Sequence, residues 1–215
     1  NEDFCLKALS SLNYYRLIAY MLPFKISDNV YESVTFEKIY NIYEFDRKLR
    51  SMILENLEET ELFLRTKIAY HLAHKYGPME YMHEKYYNGK HNHQLFVNEL
   101  NVLIDKNKDI LFVKHHIRNK GGDFPIWVAV ELMPFGMLSR MYSDLLVEDG
   151  KEIAKYEFNT GINQLKSWLL CLSILRNRCA HYMRLYYHNF NKWPSKDSNK
   201  VIKGNTVFDY IYVMK

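Results

Sequence analysis

Glycine and proline are scarce in this 215-residue chain, at 8 and 5 residues. Those two residue types punctuate turns, so their scarcity argues against a sandwich or barrel of many short strands and favours helices. Cysteine is rarer still, with Cys5, Cys171 and Cys179 alone. Three scattered thiols make no disulfide framework and suit a reducing cytosol. No apolar run reaches the roughly 18 residues needed to span a bilayer, and no signal peptide is visible, so the expected location is cytoplasmic, with no membrane partner. Internal repeats, low-complexity tracts and Pro/Gly/Ser-rich linkers are also missing, and residues 1–215 read as one domain. Histidines pair up as His71/His74, His91/His93 and His115/His116. No Cys or carboxylate spacing joins them into a ligand set, so neither metal nor cofactor is expected.

What remains is ordinary in bulk, with 48% hydrophobic and 25% charged residues, but rich in Tyr (18) and Phe (12). The net charge of +4 and pI near 8.7 are mildly basic, compatible with a polyanionic partner.

The apolar spacing predicts an all-α bundle built on two long helices with short accessory helices. Residues 1–34 supply N-terminal accessory helices: Phe4 to Leu22 reads as helix in two pieces meeting near Asn13, stopped by Pro23 and followed by a loop. Thr35 is an N-cap for the longest periodic stretch, Phe36 to about Lys75, which Gly77-Pro78 ends. His91 to Asp105 is a weaker helix, and Lys106 to Asp123 a basic segment containing a loop. Trp127–Met133 and Met137–Leu146 read as short helices around the bend Pro134-Phe135-Gly136. Asn163 to Tyr187 is the second long helix, His188 to Lys200 a loop, and Val207 to Met214 a short final helix or strand, the helix agreeing better with the rest.

On a helical wheel of the second long helix, Leu165, Trp168, Cys171, Leu172, Leu175, Cys179, Tyr182 and Met183 form the core stripe. Ser173, Arg176, Asn177, Ala180, His181, Arg184 and His188 share an arc of about 140° elsewhere. Asn177 and His181, one turn apart, can touch, and Arg176 reaches round Ala180 to the same place. An Arg fork binds phosphate bidentately, and an imidazole exchanges protons near neutral pH. Asn177 can fix the imidazole tautomer or donate to a phosphate oxygen. The plainer reading of such an arc is a solvated helix face.

These residues resemble a known pattern. Arg176-Asn177-x-x-x-His181 resembles the R-x4-6-H motif of HEPN-superfamily ribonucleases, and RNRCAHYMRLYY (Arg176 to Tyr187) resembles the signature of Abi-like (AbiD/AbiF) abortive-infection proteins. LNYYRLIAYMLPF (Leu12 to Phe24), TFEKIYNIYEFDRKLR (Thr35 to Arg50) and FPIWVAVELMPFGMLSRMY (Phe124 to Tyr142) are similar to other blocks of that group. The likeness departs at Tyr187, where many relatives carry Asn. The resemblance implies a HEPN-like bundle, a homodimer, and an anti-phage endoribonuclease that uses no metal. RNA is cut by its own 2′-OH, leaving a 2′,3′-cyclic phosphate. Arg176 would clamp the scissile phosphate, His181 serve as acid/base or transition-state donor, and Asn177 support both. A non-catalytic relative that holds a structured or guide-like RNA, and a toxin–antitoxin component acting through a protein partner, are the alternatives.

RNA contacts are expected from Arg184, His188, Lys192, Trp193, Lys196 and Arg16, since basic residues grip phosphates without reading sequence and Trp stacks on bases. Tyr14, Tyr15 and Arg16 either stack on and clamp RNA or, more simply, a tyrosine packs on the long helices while Arg16 pairs with a glutamate. Lys106, Lys108, Lys114, His115, His116, Arg118 and Lys120 form a second basic run, with a solvated segment as the plain alternative. Arg65 and His71 repeat the R-x4-6-H spacing but face about 240° apart round their helix, which suits a surface Arg and a packed or capping His better than a second motif.

Overall fold

Forty residues of uninterrupted helix, α3 (Phe36–Lys75), run about 60 Å and form the axis of the molecule. The structure, a computed structural model, describes residues 2–28, 30–195 and 206–214. Thr35 caps α3 by accepting the Lys38 N–H at 3.2 Å, no Gly or Pro interrupts it, and Gly77, at φ 118°, follows its end. Ile39, Tyr43, Asp46, Arg50, Ile53, Leu57, Glu61, Leu64, Ile68 and Leu72 are buried at steps of three and four, a stripe facing the core. Four charged residues buried on α3, Asp46, Arg50, Glu61 and Arg65, break its apolar character.

Before α3 come α1 (Glu2–Ser11) and α2 (Tyr14–Ile18), separated where expected by Asn13, whose side chain accepts the Tyr15 N–H at 2.9 Å. Pro23 sits inside a 3-10 turn, Leu22–Phe24. Where a loop was expected, β1 (Lys25–Ser27) and β2 (Val30–Tyr31) pair as an antiparallel hairpin. Leu17 and Tyr20 pack with Ile39 and Tyr43 in a small core at the N-terminal end of α3.

The main core lies further along α3 and is closed by α4 (His93–Lys106), α5 (Leu111–Asn119), α6 (Ile126–Leu132), α7 (Phe135–Asp144), α8 (Val147–Phe158), α9 (Ile162–Ala180) and α10 (Val207–Tyr212). α9 packs on α3, α7, α8 and α10. The architecture is all-α, with the hairpin as its only sheet among the described residues. Two helices lay outside the sequence expectations. α5 occupies the basic segment and is ended by Gly121 and Gly122, both at positive φ; α8 ends at Asn159, left-handed at φ 47°. Pro125 and Pro134 precede α6 and α7, so the second short helix starts at Phe135 and not at Met137.

The largest correction concerns α9. Its apolar period continues to Tyr187, yet the helix stops at Ala180. The Met183 N–H returns to the Arg178 carbonyl at 2.8 Å and the Tyr182 N–H to the Cys179 carbonyl at 3.1 Å, with Tyr182 left-handed at φ 57°. That is a Schellman closure, built on tyrosine where glycine is usual. Tyr182 and Met183, expected in the core stripe, are exposed; Leu185 and Phe190 are buried instead. Among the described residues no helix is long and apolar enough to cross a membrane.

Candidate active site

Just past the α9 terminus the chain is tied to α3 by one buried carboxylate. Asp46 accepts the Tyr186 N–H at 2.8 Å, the Leu185 N–H at 3.2 Å and the Tyr20 hydroxyl at 2.6 Å, and forms an ion pair with Arg50. Asp46 and Arg50 are both buried, so the charges answer one another away from water. Burial, together with the adjacent Asp46 carboxylate, pushes the Tyr20 phenol far above its usual range. Asp46 thus joins the N-terminal segment, α3 and the segment after α9 at one point. Neither Asp46 nor Arg50 was singled out from the sequence, although charged residues four apart in the core phase of an amphipathic helix are a readable signal.

Three arginines brace the same region. Arg178 donates to the Arg184 carbonyl at 2.9 Å and lies over the Phe190 ring. Arg184 donates to the Ala19 carbonyl, and Arg16 to the Tyr182 carbonyl at 3.1 Å. Arg16 therefore meets a backbone oxygen and not the expected glutamate, while Tyr14 and Tyr15 are exposed. Burial, reinforced by Arg184, lowers the Arg178 pKa. Burial and the cations of Arg178 and Arg184 also lower the His188 pKa.

Against this bracing, Arg176, Asn177 and His181 stand out by being little engaged. Arg176 lies on the last turn of α9 with its side chain 37% exposed; its Nε is 3.4 Å from a Glu61 carboxylate oxygen. Its terminal nitrogens have no partner among the described residues. Glu61 also pairs with Arg65, which donates to the Val130 carbonyl. A cavity of about 380 Å³ opens beside them, with Glu58 and Glu131 in its lining. Asn177 is exposed and its side chain has no hydrogen-bond partner among the described residues. It borders a second, larger groove of about 610 Å³ between α4, α7 and α9. His181 is the C-cap residue, its N–H on the Asn177 carbonyl at 3.0 Å and its imidazole exposed. The predicted arc is therefore cut: Arg176, Asn177 and His181 stay together at the helix end, buried Ser173 donates to the Leu170 carbonyl, and Arg184 and His188 follow the left-handed turn.

The remaining expected RNA contacts are spread over the next segment. Lys192 and Trp193 are exposed; the Trp193 indole donates to the Phe190 carbonyl at 3.1 Å, with the residue 62% exposed. Lys196 lies outside the described residues. Tyr182 and Tyr187, which sequence reasoning gave no site role, are exposed aromatics held at positive φ. The φ of 52° at Tyr187 is one that Asn tolerates better than Tyr, which accounts physically for the Asn expected there.

Arg65 is buried on α3 and not at the surface, and His71 bonds Asp149 at 2.8 Å, so the second R-x4-6-H pair is directed to separate structural partners. Asp149 also accepts from Lys75 at 2.7 Å and Tyr76 at 2.9 Å. Burial opposes its ionisation, but the donors from His71, Lys75 and Tyr76 outweigh it and lower its pKa. His71, Asp149 and Glu152 offer ligand atoms within 4.8 Å of one another, a grouping invisible in sequence spacing because two members come from α8. The Lys75 ammonium already supplies the cation there.

No curated protein and no solved structure gives a match in comparison with this chain. A family model does match, over residues 7–187, running from within α1 to the tyrosines beyond α9 and including Asp46, Arg176, Asn177, His181 and Arg184. The chain belongs to the Abi-like protein family, which associates it with abortive infection defence.

Proposed function

We propose that this protein is an endoribonuclease of the HEPN type, cutting RNA at the C-terminal end of α9 as an abortive-infection effector. One observation carries the reading. Asp46, Arg178 and Arg184 are engaged in holding the fold at this helix end, whereas, among the described residues, the side chains of Asn177 and His181 have no hydrogen-bond partner and Arg176 keeps its terminal nitrogens free beyond the Nε contact with Glu61. A helix end that carries an arginine with free terminal nitrogens, a carboxamide and an imidazole has the parts for phosphoryl transfer at a 2′-OH.

In the proposed reaction the 2′-oxygen attacks the neighbouring phosphorus. The 2′-O–P bond forms, the P–O5′ bond breaks, and the 2′ proton is removed as the 5′ oxygen gains one. His181 serves as acid/base, and the terminal nitrogens of Arg176 hold the phosphate oxygens as charge builds, its Nε remaining on Glu61. Asn177 orients the imidazole or the phosphate. One imidazole cannot take and give both protons in one step, so two copies would bring their α9 ends together in a homodimer. Lys192, Trp193 and Arg16 lie on segments adjoining the site and would hold the strand on either side.

RNA binding and cleavage by wild type, His181→Ala and Arg176→Ala test the reading. Loss of cleavage with retained binding in His181→Ala supports the enzyme. Equal binding with no cleavage in any form supports the RNA-holding alternative, and no affinity for RNA supports a protein-partner module.

A further inference from the structure

We infer that the groove between α4, α7 and α9 is a pocket for one splayed-out base of the bound RNA, with adenine preferred; the inference rests on the ribonuclease reading. The groove, about 610 Å³, is within the size range of a small-molecule site and ample for a purine. Val102, Met137 and Leu170 give it apolar walls that suit the two faces of a flat ring. Two carboxamides, Asn98 and Asn177, stand in its lining. The Asn98 oxygen accepts from Gln94 at 2.9 Å, so its NH2 is left to donate, whereas Asn177 has both amide groups open. A carboxamide pairs its acceptor and donor with the adjacent N–H and ring nitrogen of adenine. An apolar peptide side chain would leave both carboxamides unanswered. A phosphate would find no free cation, because Arg140 is paired with Glu99 at 2.6 Å.

Gly136 supplies an independent reason to place a ligand here. It sits in the first turn of α7 with no left-handed φ to require glycine, and a Cβ there would meet nothing within 4 Å. Glycine in a helix costs stability relative to alanine, so neither backbone nor packing accounts for it. It lines the groove, and its missing side chain keeps that volume open. Asn177 belongs to the motif and to the groove wall at once, so a base seated here would belong to a nucleotide at the site of cleavage.

The test measures binding of short fluorescent homopolymers of A, U and C, carrying 2′-O-methyl groups so that no cleavage occurs, to wild type, Gly136→Leu and Asn98→Ala. Wild type should bind the A strand at least about fivefold more tightly than the others, the low end of the discrimination that one bidentate carboxamide–adenine pair contributes. Gly136→Leu should fold with a thermal midpoint no lower than that of wild type and bind all three alike. Asn98→Ala should weaken the A strand selectively, and it decides the matter if the leucine variant does not fold. A preference that survives both substitutions, or no preference in wild type, overturns the pocket while leaving the ribonuclease reading intact. Wild type that binds none of the strands overturns both. Unaltered RNA binding with loss of self-association in Gly136→Leu reassigns the groove to a protein interface and overturns the base pocket.

Discussion

Replacing Asp46 by asparagine keeps the shape of the side chain and removes its charge, which strands Arg50 as a buried cation and turns an amide donor either toward Arg50 or toward the N–H groups of Leu185 and Tyr186. Breaking a buried ion pair from one side costs about 3–5 kcal/mol, and each backbone donor left without an acceptor about 1–3 kcal/mol more, though such terms do not add fully. A loss of roughly 4 kcal/mol is expected, a large fraction of the 5–15 kcal/mol that typically separates folded from unfolded states. For a chain of this size that is a fall of about 8–16 °C in melting temperature. Urea denaturation of wild type and Asp46→Asn, with the slope compared, measures it directly. Adding Arg50→Met to Asp46→Asn removes the stranded cation and should recover part of the loss, leaving the portion due to the remaining hydrogen bonds of the carboxylate. A loss under about 1 kcal/mol, or a double variant no better than the single one, would refute the role given to Asp46.

Asp149 has a folded pKa below its unfolded value near 3.9, so it contributes stability above about pH 4 that is lost as pH falls through the lowered folded value. Asp149→Asn should flatten that acid limb of the stability–pH curve, as read by thermal melts across the acid range. Burial pushes the Cys171 thiol up to about 11 and the Cys179 thiol up to about 12, so native protein at pH 8 should resist alkylation at both, with mass spectrometry finding label on the less buried Cys5 first. Tyr182→Gly relieves a left-handed tyrosine and should keep or raise stability by up to about 1 kcal/mol in urea melts, whereas Tyr182→Val should destabilise the α9 terminus.

The two ends of α3 were legible because local chemistry sets them: a threonine cap before Phe36 and Gly77-Pro78 after Lys75. The break at Asn13 was legible for the same reason, since its side chain closes the first turn of α2. The end of α9 was not. Its apolar period runs on through Tyr182 and Met183, and the residue that draws the chain away, Asp46, lies 139 residues from Leu185. The candidate site divides in the same way. Arg176, Asn177 and His181 could be named from residue type and spacing along one helix. Their surroundings could not, because Glu61, the Ala19 carbonyl and the α4–α7 groove reach the helix end only through tertiary packing. The absence of a side-chain cap on α8 hid that helix, whose start is formed by Leu146 with no capping hydrogen bond.

Ribonuclease activity at the α9 terminus is tested most directly by the ends of the RNA. Purified wild type and His181→Ala are incubated with RNA in excess chelator, and the new termini are mapped and their chemistry determined. Wild type should leave 2′,3′-cyclic phosphate and 5′-hydroxyl ends, and His181→Ala none although it still binds. Intact RNA with both proteins, or the same ends at the same rate from His181→Ala, would contradict the assignment.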